Sequence, residues 1–123
     1  MLIITNNENV ISQIKKSGAE YKYIKGHALD VLHYTKELLL RGYRLAADPL
    51  AGHYERLNPY HTIFAERDLR SKREDFYDLE RIEKSEIRWK THGNDIRPAT
   101  PLLTEQYKGL DESIAMSTFS SLC

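Results

Sequence analysis

The stripe Ala28, Val31, Leu32, Thr35, Leu38 and Leu39 constrains this chain more than any other feature of it. Its members recur at spacings of three and four, the repeat of a helix that buries one face and wets the other. Arg41 adds positive charge in the last turn, and Gly42 stands just past the end. A helix with one apolar face must lie on something, and short strand-like runs flank it. Leu2-Ile3-Ile4 is unbroken and closes on Thr5-Asn6-Asn7, as a buried strand followed by a polar turn would. Tyr21 to Ile24, Tyr43 to Ala47 and Thr62 to Ala65 carry strand-favouring side chains. Between the first two runs, Val10, Ile11 and Ile14 share a helical face, with Asn7 or Asn9 able to cap it and Gly18 placed to end it.

An order of strand, helix, strand, helix, strand predicts an α/β layer architecture. Right-handed crossovers make the expected sheet small, open and mostly parallel, with about four strands and flanking helices. In such sheets ligands bind beyond the C-terminal strand ends. Thr5-Asn6-Asn7 and the connection that begins at Asp48 would share that end.

The second half differs in composition. Residues 66–97 hold nine acidic and nine basic residues, half of all charges in the chain. Ser71 with Glu74 has the spacing of a capping box, and Glu80–Lys84 and Glu86–Lys90 are favourably ordered i, i+4 pairs. Phe76, Leu79, Ile82 and Trp89 form a narrow apolar stripe, so residues 67–97 read as a long charged helix with a solvated face. Pro98 and Pro101 interrupt the pattern. Residues 98–123 then read as an extension with a short helix, Ile114, Ala115, Phe119 and Leu122 lying loosely on one side. At 123 residues the chain is expected to form one domain, residues 1–66 being its α/β core.

Lys and Arg total 18 and Asp and Glu total 18, so no general field draws the chain to nucleic acid or an anionic membrane, and neither partner is expected. No stretch approaches the ~20 apolar residues of a membrane span. Cys123 is the single cysteine, which excludes an internal disulfide and a cysteine-based zinc cluster. With no signal-like N-terminus, the expectation is a cytoplasmic protein.

The interval from Asp48 to His61 is long for a connection between neighbouring strands, and it is rich in chemistry. It holds His53, His61, Tyr54, Tyr60, Asp48, Glu55 and Arg56. A histidine there could act as a general base, and Arg56 could grip a carboxylate or phosphate with its planar fork. Gly52 permits close backbone approach. Turn chemistry alone would also account for Pro49, Asn58 and Pro59, with Tyr60 filling the core edge. Thr5-Asn6-Asn7 offers polar groups beside a helix start but lacks the glycines of a dinucleotide fingerprint or phosphate loop. His27 and His33 are six apart and fall on different helix faces, so no metal site and no cofactor is expected. The candidate ligand-binding set is Thr5, Asn6, Asn7, Asp48, Gly52, His53, Arg56, Asn58 and Tyr60, with His53 and His61 as candidate catalytic bases.

In Thr5-Asn6-Asn7, Pro49-Leu50-Ala51-Gly52, Asn58-Pro59-Tyr60 and Thr62-Ile63, at this spacing, the chain resembles the GrdX family. These are small proteins encoded beside glycine reductase components in amino-acid-fermenting anaerobic bacteria. The likeness spans roughly residues 2 to 66. It departs at Asp48, where the pattern often has histidine, and at His53-Tyr54-Glu55-Arg56, where a lysine follows the glycine. The resemblance implies a setting in bacterial glycine metabolism and a clustering of the motif residues, and it transfers no reaction.

Three functional readings follow. The first is an accessory protein that binds a small anionic metabolite at the strand ends. The second is an enzyme acting on such a metabolite, with His53 or His61 as base and Arg56 as anchor. The third is an interaction module without a small-molecule site, in which a second chain covers Phe76, Leu79, Ile82 and Trp89; a homo-oligomer is the expected assembly.

Overall fold

The computed structural model describes residues 1–48, 58–67, 73–92 and 100–122. Strand β1 (Leu2–Thr5) leads into helix α1 (Glu8–Ile14), which tightens into a 3-10 turn over Lys15–Ser17. Asn7 is the cap, its side-chain oxygen taking the Asn9 N–H at 3.1 Å, and Gly18 ends the segment with φ +76°. Strand β2 (Glu20–Tyr23), helix α2 (Ala28–Leu40) and strand β3 (Tyr43–Leu45) follow. Strand β4 (Thr62–Arg67) precedes helices α3 (Arg73–His92) and α4 (Pro101–Leu122).

The sheet order is β2-β1-β4-β3. β1 pairs with β2 in parallel, whereas β4 runs antiparallel to both β1 and β3. The sheet is therefore mixed, not mostly parallel as expected. β1, β2 and β3 do share one direction, as right-handed crossovers require. The expectation fails at β4, which is inserted between β1 and β3 and makes two of the three interfaces antiparallel. Its composition accounts for the central place: Ile63, Phe64 and Ala65 are consecutive and all buried, so β4 needs cover on both faces. β3 is half-buried and takes the edge, where Arg44 and Glu66 meet as an opposite-charge cross-strand pair.

Side-chain alternation divides the core between the two faces. Ile4, Leu45, Ile63 and Ala65 pack with Ala28, Val31, Leu32, Leu38 and Leu39 of α2 and with Ile82 and Trp89 of α3. Ile3 and Phe64 pack with Val10 and Ile14 of α1 and Ala115 of α4. All six members of the α2 stripe are buried.

Two further expectations are corrected. The stripe of the charged helix faces inward: Ile82 and Trp89 are buried against α2, which leaves them no role under a second chain, and Leu79 is half-buried. The Phe76 side chain, Ser71 and residues 68–72 and 93–97 of the proposed 67–97 helix lie outside the described residues, and Arg67 ends β4 instead of starting the helix. Glu80 and Lys84 do pair, at 3.5 Å. Glu86 instead turns inward to His33 and Lys36, 3.6 Å from each, because α3 lies along α2. The second correction concerns the extension, whose helix is not short but 22 residues long. Its loose pattern understated it because the anchor is polar: Asp111 is buried beside Ala115, while Met116 and Phe119 are partly covered. Among the described residues, no helix is long and apolar enough to cross a membrane.

Candidate functional site

The C-terminal ends of β1, β2 and β3 and the start of β4 lie at one end of the sheet. Thr5-Asn6-Asn7 leaves β1 there, and each of the three side chains reaches a different part of the chain. All three are buried, with Thr5 and Asn7 at 0% and Asn6 at 4% exposure.

Asn6 uses both amide hydrogens and its carbonyl oxygen. Its Nδ2 donates to the Gly26 carbonyl at 2.9 Å and to the Pro59 carbonyl at 2.8 Å, and its Oδ1 accepts the His61 N–H at 2.8 Å. One amide thereby ties the end of β2 to the start of β4. Gly26 takes φ +152°, and a Cβ there would run into the Asp30 side chain, its Cγ only 3.0 Å away. That carboxylate is committed, because Asp30 Oδ2 accepts the His27 N–H at 2.7 Å at the start of α2.

Thr5 and Asn7 join the sheet end to α4. The Asn7 N–H donates to Thr5 Oγ1 at 3.0 Å, Thr5 and Thr62 hydroxyls lie 2.8 Å apart, and Thr62 Oγ1 is 2.8 Å from Asp111 Oδ2. A backbone N–H can only donate and a carboxylate oxygen accepts, so the ends fix the polarity. The Thr5 hydroxyl donates to Thr62, and the Thr62 hydroxyl donates to Asp111. Asn7 Nδ2 completes the junction with bonds to Asp111 Oδ2 at 3.0 Å and the Lys108 carbonyl at 2.9 Å. Asn58 acts in parallel: its Oδ1 accepts the Tyr60 N–H at 2.9 Å, and its Nδ2 donates to the Tyr107 carbonyl at 2.8 Å.

These bonds frame a cavity of about 240 Å³ lined by Gly26, His27, Pro59, Tyr60, Thr104 and Tyr107. Lys108 Nζ stands 5.4 Å from the centre of the Tyr60 ring. The Tyr23 phenol is nearby and donates to Glu8 Oε1 at 3.4 Å. Burial and the Glu8 charge raise its pKa, with Lys108 pulling the other way, so it stays a neutral donor. The walls are thus largely aromatic, with Lys108 as an ammonium beside one of them.

His27 belongs to two structures at once. Its Nδ1 accepts the Leu29 N–H at 3.2 Å and so caps α2, which places the proton of the neutral ring on Nε2. Its ring meets Trp89 edge-on, with centroids 4.3 Å apart. Burial lowers its pKa below the ordinary 6.5, and Asp30 offsets part of the shift. The neutral form is therefore favoured in the fold. Its contribution to stability is intact above pH 6.5 and is lost as pH falls from there toward the lower folded value. Urea melts at successive pH values should show that decline, and His27→Asn, which keeps a capping oxygen, should flatten it. A decline of the same size in the variant would assign it to other groups.

The outcome for the sequence-derived site is divided. Of the candidate ligand-binding set, Tyr60 lines the cavity, while Thr5, Asn6, Asn7 and Asn58 hold its walls together from within. Asp48 is exposed in the segment after β3, and Gly52, His53 and Arg56 lie outside the described residues. His61, a candidate base, is 3% exposed and is not among the lining residues. Gly26, His27, Thr104 and Tyr107 of the lining, and Lys108 beside Tyr60, were missed. Gly26 and His27 could have been found by applying the strand-end rule to β2 as well as to β1 and β3. No pattern marks Thr104, Tyr107 or Lys108, which reach the site because Asp111 docks α4.

A family model described as GrdX-like protein matches residues 2–120, which carries the likeness past residue 66 and into the last turns of α4. No curated protein and no solved structure matches the chain.

Proposed function

The chain belongs to the GrdX-like family, and on that premise we propose that it is an accessory protein that binds a small acidic metabolite. The observation that carries this reading is the cavity at the strand ends, with aromatic walls from Tyr60 and Tyr107 and the Lys108 ammonium over Tyr60. Aromatic walls favour the apolar part of a ligand, and a nearby ammonium favours a carboxylate or phosphate. His27 adds a neutral N–H donor. Glycine metabolism in an anaerobic bacterium is the setting that the motif resemblance implies, and the cytoplasm is the compartment expected from the sequence. A binding role suits the described residues better than catalysis, because the His61 side chain is buried and does not line the cavity.

Trp89 is the single tryptophan and touches His27, so its emission reports on the cavity wall. Titration with small carboxylates, glycine included, and with inorganic phosphate should give a saturable change for one of these classes. Lys108→Met should weaken that binding about tenfold or more, the usual scale for one hydrogen bond to a charged group. Native mass spectrometry of freshly purified protein should show an adduct of matching mass. The reading fails if none of these probes binds and no adduct is seen, or if Lys108→Met binds as tightly as the parent.

A further inference from the structure

The two edges of the sheet are treated differently. At the β3 edge, Asp78 of α3 covers the strand by accepting the Leu45 N–H at 2.8 Å. At the other edge, every residue of β2 from Glu20 to Tyr23 is exposed. The Ile24 N–H donates to the Thr5 carbonyl of β1 at 2.8 Å. Backbone groups alternate in direction along a strand, so those of Glu20 and Lys22 face β1 and those of Tyr21 and Tyr23 face outward. The outer edge thus presents two sets of N–H and C=O groups, flanked by the alternating charges of Glu20 and Lys22.

We propose that this edge pairs with the same edge of a second copy of the chain, antiparallel about a two-fold axis at Tyr21, joining two four-stranded sheets into one. The register follows from charge. Outward-facing residues must oppose one another to share hydrogen bonds, which leaves few alignments. Tyr21 opposite the partner's Tyr23 sets Lys22 against the partner's Lys22. A shift the other way sets Glu20 against the partner's Glu20. Centring on Tyr23 sets Lys22 against the partner's Ile24. Centring on Tyr21 places Glu20 opposite the partner's Lys22, and Lys22 opposite the partner's Glu20. These are non-hydrogen-bonded pairs, where cross-strand side chains come closest. Both residues project from the α2 side of the sheet, since Lys22 Nζ lies 5.8 Å from the centre of the Tyr34 ring on α2. A lone edge lysine blocks pairing; with Glu20 two residues before it, Lys22 selects one alignment and rejects its neighbours.

Sedimentation equilibrium from roughly 1 µM to 1 mM suits the small contact that four residues can make. The parent chain should dimerise reversibly across that range. Lys22→Glu alone should weaken the dimer about tenfold or more, because both opposite-charge pairs become like-charge pairs. Glu20→Lys combined with Lys22→Glu should restore it. Tyr21→Pro removes an outward N–H while leaving the ladder to β1 intact, and should abolish the dimer. A parent chain that stays monomeric throughout overturns the proposal, as does a dimer that survives Tyr21→Pro. Should Tyr21→Pro fail to fold by circular dichroism, the charge series decides: a double variant no tighter than Lys22→Glu also overturns it.

Discussion

Replacing Asn6 by leucine should lower the stability of the chain by about 3 kcal/mol or more, since one side chain leaves two carbonyls and one buried N–H without their partner. Leucine keeps the four side-chain heavy atoms of asparagine and its branching at Cγ, so the substitution removes hydrogen bonds without opening a cavity, and its bulkier methyl groups can only add to the loss. The His61 N–H suffers most, because its bond to Asn6 is buried, while the Gly26 and Pro59 carbonyls are partly exposed and can recover water. Asn6→Asp is no milder substitution despite its shape. It keeps an acceptor for His61 but sets a negatively charged oxygen against two carbonyl oxygens. Both variants should melt roughly 10 °C or more below the parent, and both should lose the ligand response of Trp89, because the β2 end and the β4 start are no longer held together. Urea denaturation and Trp89 emission test this directly. A leucine variant within about 1 kcal/mol of the parent, the net worth of one ordinary hydrogen bond, would show that Asn6 does not hold the site.

Asp111→Ala should produce the second large effect, about 3 kcal/mol, by leaving the Thr62 hydroxyl and an Asn7 amide hydrogen pointing at a vacated acceptor. The surroundings are closed to water: Asp111 is 1% exposed and Asn7 is fully buried. The damage should also be local. Asp111 is the polar anchor of α4, so amide exchange along Pro101–Leu122 should accelerate more than exchange in α2, which packs on the opposite face of the sheet. Asp111→Asn retains one acceptor oxygen and should be the milder change. Uniform acceleration through both helices would mean that α4 does not open by itself. Tyr107 and Lys108 ride on α4, so ligand binding should weaken in step with its undocking.

The fold was legible wherever one periodicity dominated. The α2 stripe was readable to the residue, because a helix that covers a sheet needs apolar side chains at fixed spacings and tolerates few substitutes. The approximate positions of the four strands among the described residues followed from short apolar or β-favouring runs between turn residues. The direction of β4 did not follow. Three consecutive buried residues announce a strand covered on both faces but say nothing of which neighbour lies on either side. The helix of the extension was visible, but its length was not, since an aspartate in its interior reads as solvated until a partner is seen.

The site divides in the same way. Thr5-Asn6-Asn7, Asn58 and Tyr60 stood out because polar turn residues beside strand ends have few purposes, and all of them gather at one end of the sheet. Their work in the described structure is to hold the walls, a distinction that composition cannot make: the same amide can face a ligand or two carbonyls. The sequence by itself determined the alternation of strands and helices, the buried face of α2 and the end of the sheet at which polar groups collect, because these depend on local spacing. The tertiary structure alone decided that β4 inserts antiparallel beside β1 and that Asp111, 104 residues beyond Asn7 along the chain, closes the same network. Bonds between residues so far apart leave no periodic trace, since their geometry is set by how whole elements pack and not by neighbours in sequence.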